Sequence, residues 1–258
     1  MEHSPIAVPE RLQKLLSRAG IMSRRQADAL LKAGRLQLNG RPAQPGDRAV
    51  VGVDCITLDG ELLHLSVGVQ RQRRTMLLHK PPGVLCSCRD PHGRPTVLDL
   101  LPPELARGLY PVGRLDQESE GALLLTDDGD LALKLTHPRH GHQKTYRVWV
   151  RGVPSKHTMA VWRSGLLLDG QRTRPAQVEL KYSRAKSSCL HIVLREGRKR
   201  QIRRIAAQLG HPVQRLQRLA IGALALGSLA SGSWRWLEAT DMALLLAMDQ
   251  SPTTTTGV

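Results

Sequence analysis

The sequence predicts an α+β protein built from a small N-terminal unit and a larger second unit. Three observations carry this. Helical and strand periodicities mix irregularly, with several strands in succession and no regular βαβ repeat. The 258 residues are 41% hydrophobic, enough for a substantial core. A short, polar and basic stretch, VGVQRQRR at 67–74, reads as a linker between units at 10–66 and 75–249. Residues 1–9 read as a loose leader, and 250–258, ending in SPTTTTGV, as a disordered tail.

Each element has a local reason. Leu12, Leu15, Leu16 and Ala19 recur at helical spacing, and Gly20 closes that helix. Ser23 can cap a second helix, with Gln26 placed to complete a capping box. Ala27, Leu30 and Leu31 give it a buried stripe, and Gly34 ends it. RLQLNG alternates as a strand with a turn, and AVVGVDCITLDGELL reads as further strand and hairpin. In the second unit TMLLHK is an apolar strand stopped by Pro81-Pro82-Gly83. TVLDLLPPELARGLYPVG reads as a short helix and a turn, GALLLT as a buried strand, and GDLALKLTHP as a helix that Pro138 ends. KTYRVWVRG and SCLHIVLREG alternate as strands, a helix spans about 198–209, and SGSWRWLEAT is a late strand.

Charge narrows the function. Lys and Arg number 38 against 22 Asp and Glu, a formal net charge of +16, so nucleic acid is the first partner to consider. The alternative is a solvated basic face. No run approaches the length of a membrane span, and the N-terminal residues hold no apolar signal core. Cys55, Cys86, Cys88 and Cys189 show neither a disulfide framework nor paired zinc knuckles. Cys86 and Cys88 read as buried thiols, and a reducing, cytoplasmic setting fits. Arg24 and Arg25 stand in the first turn of the second helix, where the dipole opposes them by about 0.3–1 kcal/mol each. Two arginines beside open backbone amides make a phosphate site instead.

Against this basic background, GRLDQESEGALLLTDDGD concentrates six carboxylates between 113 and 130. Asp116, Glu118, Glu120, Gly121 and Asp127 match calcium-loop positions in spacing, but the Glu side chains are too long and LYPVGRL cannot supply the incoming helix. Asp127, Asp128 and Asp130 suit a turn and a helix cap. Asp116 stands apart, in a Gly-bounded loop before a buried strand. A lone carboxylate there can act as nucleophile or electrostatic stabiliser, with Glu118 or Glu120 available as a second carboxylate. A complementary cluster lies in LREGRKRQIRRIAAQLGHP, where Arg198, Lys199, Arg200, Arg203 and Arg204 crowd the first turns of a helix. Such density calls for an anionic partner, either RNA phosphates or a carboxylate such as Asp116.

Together these stretches resemble the RsuA/RluB-type ribosomal RNA pseudouridine synthases. The matching motifs are GRLDQESEGALLLTDDG, KTYRVWV and EGRKRQIRRIAAQLGHPVQRLQRLAIGALALGSLASGSWRWL. HKPPGVLCSCRDPHGRPTVLDLLP is similar to the family's first motif, and ERLQKLLSRAGIMSRRQADALLKAGRLQLNGRPA to an S4 RNA-binding domain. The resemblance implies a mixed, mainly antiparallel sheet in the second unit and isomerisation of a uridine in RNA without cofactor or metal. It implies that Asp116 is the catalytic carboxylate, adding to the sugar or assisting loss of a sugar proton. It further implies that Arg114 enters the base stack as the target flips out, that Tyr146 stacks on the uracil, and that Arg203 pairs with Asp116. Arg204 is the alternative one residue on, about 100° around the helix. Arg24, Arg25, Arg198, Lys199, Arg200 and Arg204 are expected to hold RNA. Glu120 and Ala122 depart from the common pattern without touching these roles. The implied partner is ribosomal RNA or a ribosomal subunit assembly intermediate, with no membrane and a monomeric enzyme. The competing reading is a non-catalytic RNA-binding or ribosome-assembly protein. The joint presence of Arg114, Asp116, Tyr146 and Arg203 argues against it.

Overall fold

The structure, a computed structural model, describes residues 8–65 and 73–247. The expected tail lies outside the described residues, as do residues 1–7 of the expected leader and 67–72 of the expected linker. The chain divides into two compact units between Gln72 and Arg73.

The first unit opens with β1 (Glu10–Arg11), α1 (Leu12–Arg18) and α2 (Arg24–Lys32). Ser23 caps α2 and forms the full capping box with Gln26. Then come β2 (Leu36–Leu38), β3 (Arg41–Pro42), β4 (Arg48–Ala49), β5 (Ile56–Leu58) and β6 (Glu61–Leu62). A four-stranded antiparallel sheet in the order β3-β2-β5-β6 closes one core with the two helices, centred on Leu12, Leu15, Leu16, Ala27, Leu31 and Ile56. Ala19 lies outside that stripe as the exposed cap of α1. Residues 51–54, expected as strand, form a turn in which Asp54 accepts from the Val50 amide and the Asn39 side chain.

The second unit is a nine-stranded sheet flanked by helices. In chain order its elements are β7 (Thr75–Lys80), α3 (Pro103–Ala106), β8 (Tyr110–Val112), β9 (Glu120–Thr126) and α4 (Gly129–Thr136). They continue with β10 (Lys144–Arg151), α5 (Lys156–Ser164), β11 (Leu167–Leu168), β12 (Gln171–Arg172) and β13 (Gln177–Arg184). The last are β14 (Ser187–Leu194), α6 (Gln201–Gln208), β15 (Val213–Ile221), β16 (Leu224–Ala225), β17 (Trp234–Trp236) and α7 (Ala239–Leu246). The main strand order is β13-β14-β10-β15-β9-β7-β17, with β8 on β9 and β16 on β15. Every pairing is antiparallel except β15 with β9.

Several local expectations are corrected. Tyr110–Val112 is a strand, not a turn, because it pairs with Leu124–Thr126 of β9. α5, β13 and β15 were not anticipated, yet β15 joins the halves of the sheet. Arg73 and Arg74, placed in the linker by the sequence, are tied to this unit. The Arg74 amide and Nε bond to Asp127 at 2.8 and 3.2 Å, and its Nη2 to the Arg107 carbonyl at 2.7 Å. Asp128 is the cap of α4, accepting from Asp130 and Leu131 amides. The four cysteines form no disulfide, and Cys88 is exposed where burial was expected.

The seam between β15 and β9 fixes the architecture. It is two residues long, Gln217 beside Glu120 and Arg218 beside Gly121. A Cβ on Gly121 would lie 2.2 Å from the Arg218 carbonyl oxygen, and its φ is +109°. Only glycine lets the backbones approach so closely. Gly170, with φ of +73° in the Asp169-Gly170 turn between β11 and β12, has open space instead. Gly170→Ala is therefore expected to cost about 1–2 kcal/mol of backbone strain. Gly121→Ala is expected to cost clearly more, because strain and collision coincide. Urea denaturation of the two variants measures the difference, and equal losses would deny the seam this role.

Candidate active site

Asp116 sits on the loop that leads from β8 into the seam. That loop is built around Lys80, the last residue of β7, whose side chain has no exposed surface. Its Nζ donates to the carbonyls of Pro81 at 2.9 Å, Gln117 at 3.1 Å and Ser119 at 2.8 Å. An ammonium has three donors, and all are used. Burial pulls the Lys80 amine below its ordinary value, while the Cys86 thiol and the carboxylates of Asp116, Glu118 and Glu120 favour its charge. On the other side the Leu115 amide donates to Cys86 Sγ at 3.2 Å, and the Gly83 amide donates to the Gln117 carbonyl at 2.8 Å. Leu115 is buried in the core that also holds Tyr146. Asp116 is therefore presented by a loop anchored on both flanks, with a third of its side chain open.

Arg203 faces it. Arg203 Nε lies 4.0 Å from Asp116 Oδ2, while Nη2 donates to the Glu118 carbonyl at 3.2 Å and to Ser119 Oγ at 3.1 Å. Burial lowers the guanidinium's affinity for its proton, and Glu118 and Asp116 raise it. Arg204 turns away and binds Asp169 in bidentate fashion at 2.9 and 2.6 Å. Of the two neighbours, only Arg203 meets Asp116. Tyr146 stands on β10, opposite Arg218 of β15 and Ile192 of β14, and is 8% exposed. Arg114 is exposed two residues before Asp116.

The rest of the basic cluster is rearranged. α6 begins at Gln201, so Arg198, Lys199 and Arg200 lie in the loop before it and not on its first turn. Arg200 adopts a left-handed backbone, with φ of +52°, and pairs with Glu118 at 2.9 Å. Arg198 donates to the carbonyls of Gln171 at 2.9 Å and Arg172 at 2.7 Å, holding the β11–β12 hairpin. Glu120, expected in a loop, is the buried first residue of β9 and pairs with Arg215 at 2.5 Å. The calcium reading fails because Glu120–Thr126 is a strand. Arg24 and Arg25 belong to the first unit. Both are exposed in the first turn of α2, with no carboxylate partner among the described residues.

Sequence reasoning missed Lys80, Ser119 and Arg218. Lys80 had one signal, a lysine closing an otherwise apolar strand before Pro81-Pro82. Arg218 is 3% exposed, and its Nε donates to the Ala122 carbonyl at 2.6 Å. Beside it, Lys144 starts β10 and donates to the His142 carbonyl at 3.0 Å. Burial, with Arg218 adding to it, brings the Lys144 amine down to about 8. The unfolded chain then holds more protons between about pH 8 and the ordinary lysine value. This group accordingly favours folding increasingly as pH rises through that window. Dimethyl-lysine NMR should find one amine titrating near pH 8, moving upward in Arg218→Gln. A resonance at the ordinary lysine position would contradict this placement.

Comparison with known proteins identifies both units. Residues 74–208 match the RNA pseudouridylate synthase family model, and residues 10–54 match the S4 domain. The chain is 36% identical over 242 residues to ribosomal large subunit pseudouridine synthase B of Bacillus subtilis (strain 168), covering 93% of this chain and 96% of that one. It is also 36% identical over 237 residues to an uncharacterized RNA pseudouridine synthase of Aquifex aeolicus (strain VF5), covering 91% and 93%. A crystal structure of a pseudouridylate synthase superposes with a TM-score of 0.67 at 31% identity, covering 92% of this chain and 99% of that one. An S4 domain followed by a mainly antiparallel synthase sheet, matched over nearly its whole length by such relatives, places this chain in the RNA pseudouridylate synthase family.

Proposed function

We propose that the protein converts one uridine of ribosomal RNA to pseudouridine, with Asp116 as the catalytic carboxylate. The observation that carries this is the setting of Asp116. It is presented by a loop fixed on Lys80, faces Arg203 at 4.0 Å, and keeps a third of its side chain open. In the reaction the ribose–nitrogen bond breaks, the uracil turns, and a carbon–carbon bond forms to the same ribose. Positive charge develops on the sugar as the first bond breaks, and a facing carboxylate stabilises it. Asp116 supplies that carboxylate, either by adding to the sugar or by assisting loss of a sugar proton. Arg203 faces that carboxylate from 4.0 Å, as the positive group beside it. Tyr146 is proposed to offer its ring to the uracil and to act as base. Arg114, exposed on the same loop, enters the stack in place of the flipped nucleotide.

Ribosomal RNA is the proposed substrate because the Bacillus subtilis relative bears that target in its name. Structured loops and bulges are the expected sites, since duplex edges are hard to read. Arg24 and Arg25 of the first unit are proposed to grip phosphate, with Lys199 and Arg200 lining the approach in the second. The proposed setting is the cytoplasm, on rRNA or an assembling subunit, with the enzyme acting as a monomer and needing neither metal nor cofactor. No helix among the described residues is long and apolar enough to cross a membrane.

The direct test is a pseudouridine map of both large ribosomal RNAs with and without the gene. One modification is expected to vanish and to return with the wild type but not with Asp116→Asn. The purified Asp116→Asn protein is expected to retain RNA affinity, and a matching loss of binding would refute this division of labour. Arg24→Glu/Arg25→Glu should weaken binding and lower the salt slope by about 0.7–0.9 for each phosphate no longer neutralised. A slope equal to that of the wild type would remove both arginines from the interface.

A further inference from the structure

The strands that carry Tyr146 have a second face. Tyr146, Val148 and Val150 of β10 point into the core beneath α5 and α6, together with Leu190, Ile192 and Leu216. The alternate residues point the other way. Strand register aligns them into rows across β13, β14, β10 and β15. One row is Tyr182, Cys189, Trp149 and Arg215, and the next is Glu179, His191, Arg147 and Gln217. A third begins Arg184, Ser187, Arg151. None of these residues belongs to an apolar core cluster of the unit.

This face is organised. The Trp149 indole nitrogen donates to the Tyr182 hydroxyl at 3.0 Å, bridging over Cys189 on the strand between them. The Arg215 guanidinium lies over the Trp149 ring at 4.6 Å from its centroid. Tyr182 is 49% exposed. Beside it a recess of about 320 Å³ is lined by Tyr182, Cys189, Arg147, Lys181 and His191. Arg147, Arg151 and Arg184 are exposed and have no carboxylate partner among the described residues. Glu179 is engaged by Lys181 at 3.0 Å, and Glu120 by Arg215. The chain has four tryptophans, three tyrosines and no phenylalanine, so two rings on one open face are a concentrated use of scarce aromatics.

We propose that this face is a second RNA-binding surface, where a single-stranded segment stacks a base on Tyr182 and lays phosphates on Arg147, Arg151 and Arg184. Interleaved rings and unpaired arginines on an open sheet match the two parts of a nucleotide, a flat base and an anionic backbone. Tyr, Trp and Arg also serve at protein interfaces, but in a chain of net charge +16 three arginines without carboxylate partners on one face call for a polyanion, and RNA offers one at every phosphate. A surface on the far side from Tyr146 would let the enzyme hold RNA beyond the target nucleotide. The proposal rests on the reading of the substrate as structured RNA.

The test uses the full chain and a fluorescently labelled single-stranded oligouridylate, with Kd measured across a salt series. Arg147→Glu/Arg151→Glu is expected to lower the salt slope by about 0.7 for each phosphate no longer neutralised. Tyr182→Ala is expected to weaken binding roughly fivefold or more, as removal of one stacking ring does. Tyr182→Phe keeps the ring and is expected to bind as the wild type does. Unchanged Kd and slope in the charge-reversal and Ala variants would overturn the proposal. Unchanged Kd together with loss of a dimer in sedimentation would also overturn it and give the face to a second copy. The same comparison in the Asp116→Asn background separates the two ideas. A Tyr182-dependent Kd there supports the surface whether or not the wild type makes pseudouridine.

Discussion

Everything at the site depends on one buried ammonium. Desolvating an ion costs several kcal/mol even after the protein relaxes. Hydrogen bonds to a charged group return about 1.5–3 kcal/mol each. Three such bonds from Lys80 Nζ therefore match the desolvation, but only if all three carbonyls stay in place. This makes the contact a geometric constraint on the loop. Two of the three carbonyls, on Gln117 and Ser119, lie within three residues of Asp116. The third, on Pro81, locks the turn that ends β7. The loop cannot wander without stranding a charge in the core.

The seam at Gly121 extends the same constraint into the sheet. Gly121 pairs with Lys80 on one side and with Arg218 on the other. Lys80, Gly121 and Arg218 thus lie side by side across β7, β9 and β15. Their backbones bring together the strand that anchors the loop, the strand the loop enters, and the strand opposite Tyr146. Arg218 reinforces the closure by donating to the Ala122 carbonyl. Because β15 also pairs with β10, a displacement at Gly121 would be felt at both Asp116 and Tyr146. The separation in sequence between residues 80, 121 and 218 is bridged by a contact without side-chain volume at its centre.

The sequence was legible where local chemistry is strong. Caps and breakers marked α1, α2, α4 and the end of β7, because Ser23, Gly34, Pro81 and Pro138 act through their own backbones. Apolar runs revealed β9 and β14 for the same reason. It was illegible where tertiary pairing decides. β13 reads QVELKYSR, with one buried residue in eight, and is a strand because β14 holds it. Arg200 was placed on α6 by composition but ends the preceding loop in a left-handed conformation that no pattern announces. Lys80 was hidden by its residue type, since a lysine is expected at the surface until three carbonyls converge on it. Asp116 was marked by its motif, and the choice of Arg203 over Arg204 became decidable only once Asp169 had claimed Arg204.

The density of carboxylates in a basic chain also has a physical sense. Three nearby acids are drawn tightly onto arginines: Glu118 to Arg200 at 2.9 Å, Asp169 to Arg204 at 2.6 Å and Glu120 to Arg215 at 2.5 Å. Each pair neutralises a cation that would otherwise repel its neighbours around α6 and the start of β15. Asp116 is the exception. Its approach to Arg203 is 4.0 Å, longer than a hydrogen bond, because Arg203 is held by the Glu118 carbonyl and Ser119 instead. The arginine stands beside the carboxylate and is restrained from covering it. A carboxylate bound as tightly as Glu120 would be a structural strut. One held at this distance on a rigid loop remains open to a substrate, and that difference in spacing distinguishes Asp116 from the acids around it.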